Sequence, residues 1–110
     1  MERRMLIVDS RETAPLLVTT SFADRLRGML LRTPLPPALL IRPCTSVHGA
    51  FMRSALDVAF LDAEGRVLRT VRLHPWRVAG PMPGARSVLE APPGSFAAWG
   101  LGPGSRVRHV

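Results

Sequence analysis

The residues best equipped for chemistry crowd into one stretch, Cys44 to Asp62, which reads CTSVHGAFMRSALDVAFLD. It holds the only cysteine, one of three histidines, and an acid, Asp57, flanked by Leu56 and Val58. His48 suits general acid or base work, because an imidazole titrates near neutral pH and a carboxylate on its second nitrogen would fix the tautomer. Asp57 is the carboxylate in that reading. Ser46 is a weak nucleophile for the pair: on one extended face it lies about 6 to 7 Å from His48 along the backbone, and nothing nearby supplies an oxyanion hole.

Cys44, His48 and Met52 form a second constellation, since thiolate, imidazole and thioether together favour a soft ion such as Cu(I). Along a straight strand they span about 13 to 14 Å, which one ion cannot bridge unless the chain bends at Gly49. Cys44 is therefore read as a small buried hydrophobe and Met52 as a core filler, with no metal or other cofactor expected. A third reading joins this stretch to His74-Pro75-Trp76-Arg77. A cleft between the two would let Trp76 offer a stacking face while Arg77 or Arg53 holds an anion; the competing role for Trp76 is to plug one end of a sheet.

Positioning these groups falls to short strands. If Cys44 to Met52 is extended, Cys44, Ser46, His48, Ala50 and Met52 share a face. Leu56 to Leu61 is a strand apolar on both sides apart from Asp57, whose nearest candidate partners in sequence are His48 and Arg53. Gly65 suits the turn after Asp62, and Arg66 to Leu73 is the returning strand. Met5–Val8 and Leu16–Thr19 form a further strand pair across the polar segment 9–15.

Ser21 caps a helix whose Phe22, Leu26, Met29 and Leu30 make a packing face, with Gly28 in its middle and Pro34 at its end. Gly28 there implies either tolerance or close approach of another backbone. Ala38 to Arg42 and Ser87 to Ala91 are strands, and Pro92-Pro93-Gly94 opens a brief helix through Trp99, stopped by Gly100 with Leu101 packing back. Arg106 to His109 is the last strand. The sum is an α+β fold: a twisted, mainly antiparallel, partly barrel-like sheet with two short helices.

A chain of 110 residues fits one domain, residues 1–110, able to hide about 65% of the surface its unfolded form exposes. One cysteine excludes an intrachain disulfide. The net charge of +7 comes wholly from arginine, and lysine, asparagine, glutamine and tyrosine are absent, a bias that warns against reading each arginine as chosen for its guanidinium. The arginines are scattered in runs of two at most and aromatics are only 5%, so dedicated nucleic-acid binding is not expected. Four apolar residues follow the N-terminal arginines before Asp9, too few for a secretory signal or a membrane span. A cytoplasmic protein is expected.

The segments FADRLRGMLLR, SVHGAFMRSALDVAFLDAEGRV, LHPWR and GARSVLEAPPGSFAAWGLGPGSRV together resemble the small prokaryotic proteins grouped as domain of unknown function 192. The resemblance implies a compact β-rich α+β fold and no established activity. His48, Met52, Asp57, Val58, Phe60 and Trp76 fall where the family's pattern has the same residues. Ser54-Ala55 stands where the family often has an aromatic and a proline, and Gly49 where it often has threonine. Both changes remove bulk or stiffness beside His48, implying a looser site.

The function expected is binding of a small molecule or a protein partner, through a cleft near His48, Met52, Asp57, Trp76 and Arg77. The alternative is an enzyme built on a His48/Asp57 acid-base pair.

Overall fold

The computed structural model describes residues 1–29 and 34–110. Two strands open the fold, β1 (Glu2–Val8) and β2 (Arg11–Val18). Their turn is tighter than the polar segment suggested: Asp9 and Ser10 alone make it, at φ 49° and 70°, the pair of left-handed conformations that matches strand twist. Pro15 therefore lies inside β2. The Met5 N–H on the facing position points the other way, to the Val110 carbonyl at 2.8 Å, so Pro15 and Met5 exchange no hydrogen bond. The ring nitrogen of Pro15 faces the flank of β2 that has no strand neighbour there among the described residues, since β3 joins at Leu17 and Val18.

Helix α1 covers Phe22–Arg27. The Ser21 hydroxyl accepts the Asp24 N–H at 3.0 Å, while the Asp24 carboxylate accepts the N–H and hydroxyl of Thr20, an N-terminal cap of the expected kind. Gly28 (φ 51°) ends the helix and does not sit in its middle. The packing face fails for the same reason. Phe22 and Leu26 are 66% and 60% exposed, whereas Met29, just past the turn at Gly28, reaches the core. Leu30 and Arg32 lie outside the described residues.

The remaining elements are β3 (Leu39–Ile41), β4 (Val47–His48), β5 (Leu56–Leu61), β6 (Val67–Leu73), β7 (Val78–Ala79), β8 (Ser87–Ala91), α2 (Ser95–Trp99) and β9 (Val107–His109). Seven strands form one sheet in the order β6-β5-β8-β3-β2-β1-β9, and β4 pairs with β7 apart from it. The sheet is mixed: β2 and β3 run parallel because α1 carries the chain from one to the other. It also curls. The two outer strands meet where Val67 N–H donates to the Ser105 carbonyl and Val107 N–H to that of Gly65, both at 2.8 Å, around an Arg66–Arg106 bridge. Gly65 (φ +80°) is required there, because a Cβ would overlap the Val107 carbonyl oxygen.

Strand alternation then sorts side chains into two cores. Leu40, Ala59, Leu61, Leu89 and Val107 fill the inside of the curl, with Phe96 and Leu101 closing one end. Leu39, Ile41, Leu56, Val58, Phe60 and Val88 point outward and are covered by Met29, Val47 and Ala85. Both faces of β5 are thus buried. Gly100 ends α2 in the left-handed conformation, with Leu101 N–H bonded back to the Phe96 carbonyl at 3.0 Å. Among the described residues no helix is long and apolar enough to cross a membrane.

Candidate functional site

Asp57 lies on the inner face of β5, in step with Ala59 and Leu61. It is buried, and its partners come from far along the chain: one oxygen accepts the Phe96 N–H at 3.0 Å and the other faces an Arg72 nitrogen at 3.3 Å. Neither His48 nor Arg53 reaches it. The carboxylate fixes the first turn of α2 over the end of the curled sheet, where Trp99 packs on Phe96 with ring centres 5.8 Å apart. Trp99, and not Trp76, plugs that end.

His48 sits on the other side of the sheet. It is exposed, and its Nδ1 accepts the Ala50 N–H at 3.3 Å. The structure therefore does not bring His48 and Asp57 together, and the proposed acid-base pair is not formed. Nor does the single row from Cys44 to Met52 exist. Extended pairing covers only Val47 and His48, and the Met52 N–H turns back to the Gly49 carbonyl at 3.1 Å.

Cys44 is half-buried, and burial pushes its thiol above the ordinary value; its Sγ donates to the Ser46 carbonyl at 3.0 Å. Such a thiol is protonated and inert at neutral pH. Met52 packs against the outer core. Among the described residues no group of three His, Cys, Asp or Glu side chains is placed to hold a metal ion.

Beneath His48 the sequence hid a residue. Glu90 in β8 is buried on the outer face, beside Gly28, and lines a small hollow with His48, Met52 and Leu56. At about 30 Å³ the hollow has room for a water molecule or two. Alternation along SVLEA puts Glu90 on the face opposite Leu89, which in a sheet with a single core is the wet side. The signal that overrules this is β5, apolar on both faces, which requires a second core outside the curl.

The His74–Arg77 turn and the Gly49 turn are clamped backbone to backbone. Gly49 N–H donates to the Arg77 carbonyl and Trp76 N–H to the Gly49 carbonyl, both at 2.8 Å. A Cβ on Gly49 would stand 2.6 Å from the His74 carbonyl oxygen, so losing the side chain here brings the two turns together instead of loosening the site. Phe51 and Trp76 take positive φ, 62° and 66°, an unfavourable conformation for bulky residues. Their rings meet edge to face at 4.7 Å, and both stay about two-thirds exposed.

Beside this clamp runs an open groove of about 360 Å³ along β6 and the loop that follows. Its walls include Phe60, Val71, Leu73, Val78 and Met82, and its polar groups are Arg69, Arg72, Arg77 and His74. Arg72 is held by Asp57; Arg69 and Arg77 are exposed and form no ion pair among the described residues. Of the five residues singled out by sequence, only Arg77 lines this groove. Trp76 borders it through the clamp, and His48, Met52 and Asp57 lie elsewhere. Arg69 was passed over as one of many scattered arginines.

Comparison with known proteins agrees with this fold and gives no activity. A family model described as "Uncharacterized ACR", DUF192, matches residues 5–109. An uncharacterised UPF0127 protein of Pyrococcus horikoshii is 35% identical over 82 residues, covering 70% of this chain and 71% of its own. A UPF0127 protein of Pyrococcus furiosus is 34% identical over 92 residues, 79% of each chain. Among solved structures, a Sinorhizobium meliloti protein provisionally named a transcription regulator superposes with a TM-score of 0.78 at 22% identity, over 97% of this chain and 92% of its own. A protein of unknown function from Novosphingobium aromaticivorans gives 0.75 at 20% identity, over 96% and 83%. At such identities the two structures share the fold alone.

Proposed function

Because this chain belongs to the DUF192 family, which carries no assigned activity, we propose from its geometry that it is a binding domain for a small amphipathic carboxylate seated in the β6 groove. One observation carries the reading: two exposed guanidiniums with no carboxylate partner among the described residues, Arg69 and Arg77, flank a groove whose walls include Phe60, Val71, Leu73, Val78 and Met82. A guanidinium presents a planar fork that matches a carboxylate with two parallel hydrogen bonds. The apolar walls suit the body attached to it. The turn that carries Arg77 is held by Gly49 and by the Phe51–Trp76 pair, so the backbone is already in place and binding has only the side chain to order.

Naphthoate tests the reading, because it joins a rigid apolar body to one carboxylate. Calorimetric titration is expected to show saturable binding that Arg69→Ser and Arg77→Ser each weaken about tenfold. Binding that both variants leave intact, or none at all, refutes the proposal.

A further inference from the structure

We infer that the open end of the curled sheet, opposite α2, is a second ligand site, separate from the β6 groove, that takes the phosphate group of a small molecule. A cavity of about 320 Å³ opens there, floored by Leu40, Leu61 and Val107 and rimmed by Arg42, Arg86, Arg108 and His109. Mouths of curled sheets are common places for small-molecule sites. Strand alternation aims Arg42 inward behind Leu40 and His109 inward behind Val107; the β1–β9 register confirms the second, pairing His109 with the buried Leu6.

The polar groups at this mouth have charge to spare. None of Arg42, Arg86 and Arg108 forms an ion pair with a carboxylate among the described residues. Two acids also line the cavity. Asp62 already accepts the Glu64 and Arg66 N–H groups, each at 2.9 Å, and Glu64 is exposed at the rim. Arg42 instead donates to His109 Nε2 at 3.3 Å. A guanidinium has only donors, so Nε2 is unprotonated and the ring's hydrogen sits on Nδ1, which is buried with no hydrogen-bond partner among the described residues.

Arg42 and Arg4 stand beside one neutral imidazole, an arrangement that a dianion would relieve. Burial, then Arg42 and Arg4, hold the imidazole below its ordinary pKa, with Glu2 opposing them weakly. A phosphate bound between Arg42 and Arg86 adds negative charge beside the ring and so favours its protonated form.

The test is histidine-ring NMR on the full chain, titrated with inorganic phosphate at an ionic strength matched with chloride. Saturable movement of the His109 signals is expected, with protonation of His109 shifted to higher pH by phosphate. Arg86→Ser is expected to weaken this binding about tenfold, whereas Arg3→Ser, the same change of charge at an exposed position on β1, leaves it unchanged. These arginines are exposed, so the variants fold, which near-UV circular dichroism verifies. A His109 titration identical in phosphate and chloride overturns the inference. So does equal weakening by Arg3→Ser, which would mark diffuse attraction to a basic protein, and so does parallel movement of the His48 and His74 signals. The naphthoate result stands or falls separately, since it reports on Arg69 and Arg77.

Discussion

The indole of Trp76 meets the ring of Phe51 edge to face at 4.7 Å, from two turns that each place the aromatic at positive φ. Two bulky residues in that conformation cost about 1 to 3 kcal/mol each, and the hydrogen bonds through Gly49 hold them there. The pair is the rigid shoulder of the groove. Replacing either ring by alanine is expected to change stability by no more than about 1 kcal/mol, because both are largely exposed, and a double-mutant cycle in urea should return a coupling of about 0.5 to 1 kcal/mol.

Gly49→Ala tests the clamp beneath that shoulder. The added methyl stands 2.6 Å from the His74 carbonyl oxygen, backbone that cannot yield without moving the whole turn. A loss of about 1 to 3 kcal/mol is expected, read from chemical denaturation, together with weaker naphthoate binding because Arg77 moves with the turn.

Asp57 separates a structural role from a catalytic one. Asp57→Ala strands the Phe96 N–H at the start of α2 and should cost about 2 kcal/mol, while Asp57→Asn keeps an acceptor and should cost about half as much. Arg72→Ala should cost least, since the guanidinium is half in water and its pairing is screened. Equal losses for all three would show that the ion pair, and not the bond to α2, holds this end.

The distance of those partners explains what the sequence let one read. Local features were legible: the Ser21 cap, the turn at Gly65, the strands β5 and β8, the Gly100 stop after α2, each written in a few adjacent residues. What escaped was non-local. Arg72 and Phe96 lie 15 and 39 positions from Asp57, whereas only His48 and Arg53 stood close enough in sequence to suggest themselves. Pairing of β4 with β7 and closure of the curl through Gly104 to Val107 likewise depend on strands far apart in the chain. The α1 face was misread because the 3.6-residue period continued past Gly28, where the helix does not. Arg69 and Glu90 were hidden differently: the first by a surplus of arginine, the second by a core on the outside of the sheet.

His109 gives a pH dependence with a definite sign. Its folded pKa is lowered, so between that value and the unfolded one of about 6.5 the unfolded chain binds more protons. Stability is therefore full above about pH 6.5 and falls as pH drops through the folded value, where the loss levels off. Thermal denaturation between pH 5 and 8 should show this slope, and His109→Gln should flatten it.

Cys44, its thiol pushed up by burial, should react with iodoacetamide several-fold more slowly than a free thiol at pH 8. Reaction at the free-thiol rate would mean the site opens readily.

Backbone-amide NMR during a naphthoate titration tests the central claim most directly. Saturable shifts are expected at Arg69, Val71, Leu73, His74 and residues 77–82, with the signals of His48 and Asp57 unmoved. Shifts gathered instead around His48 and Glu90, or at the mouth by Arg86 and Arg108, would contradict a carboxylate site in the β6 groove.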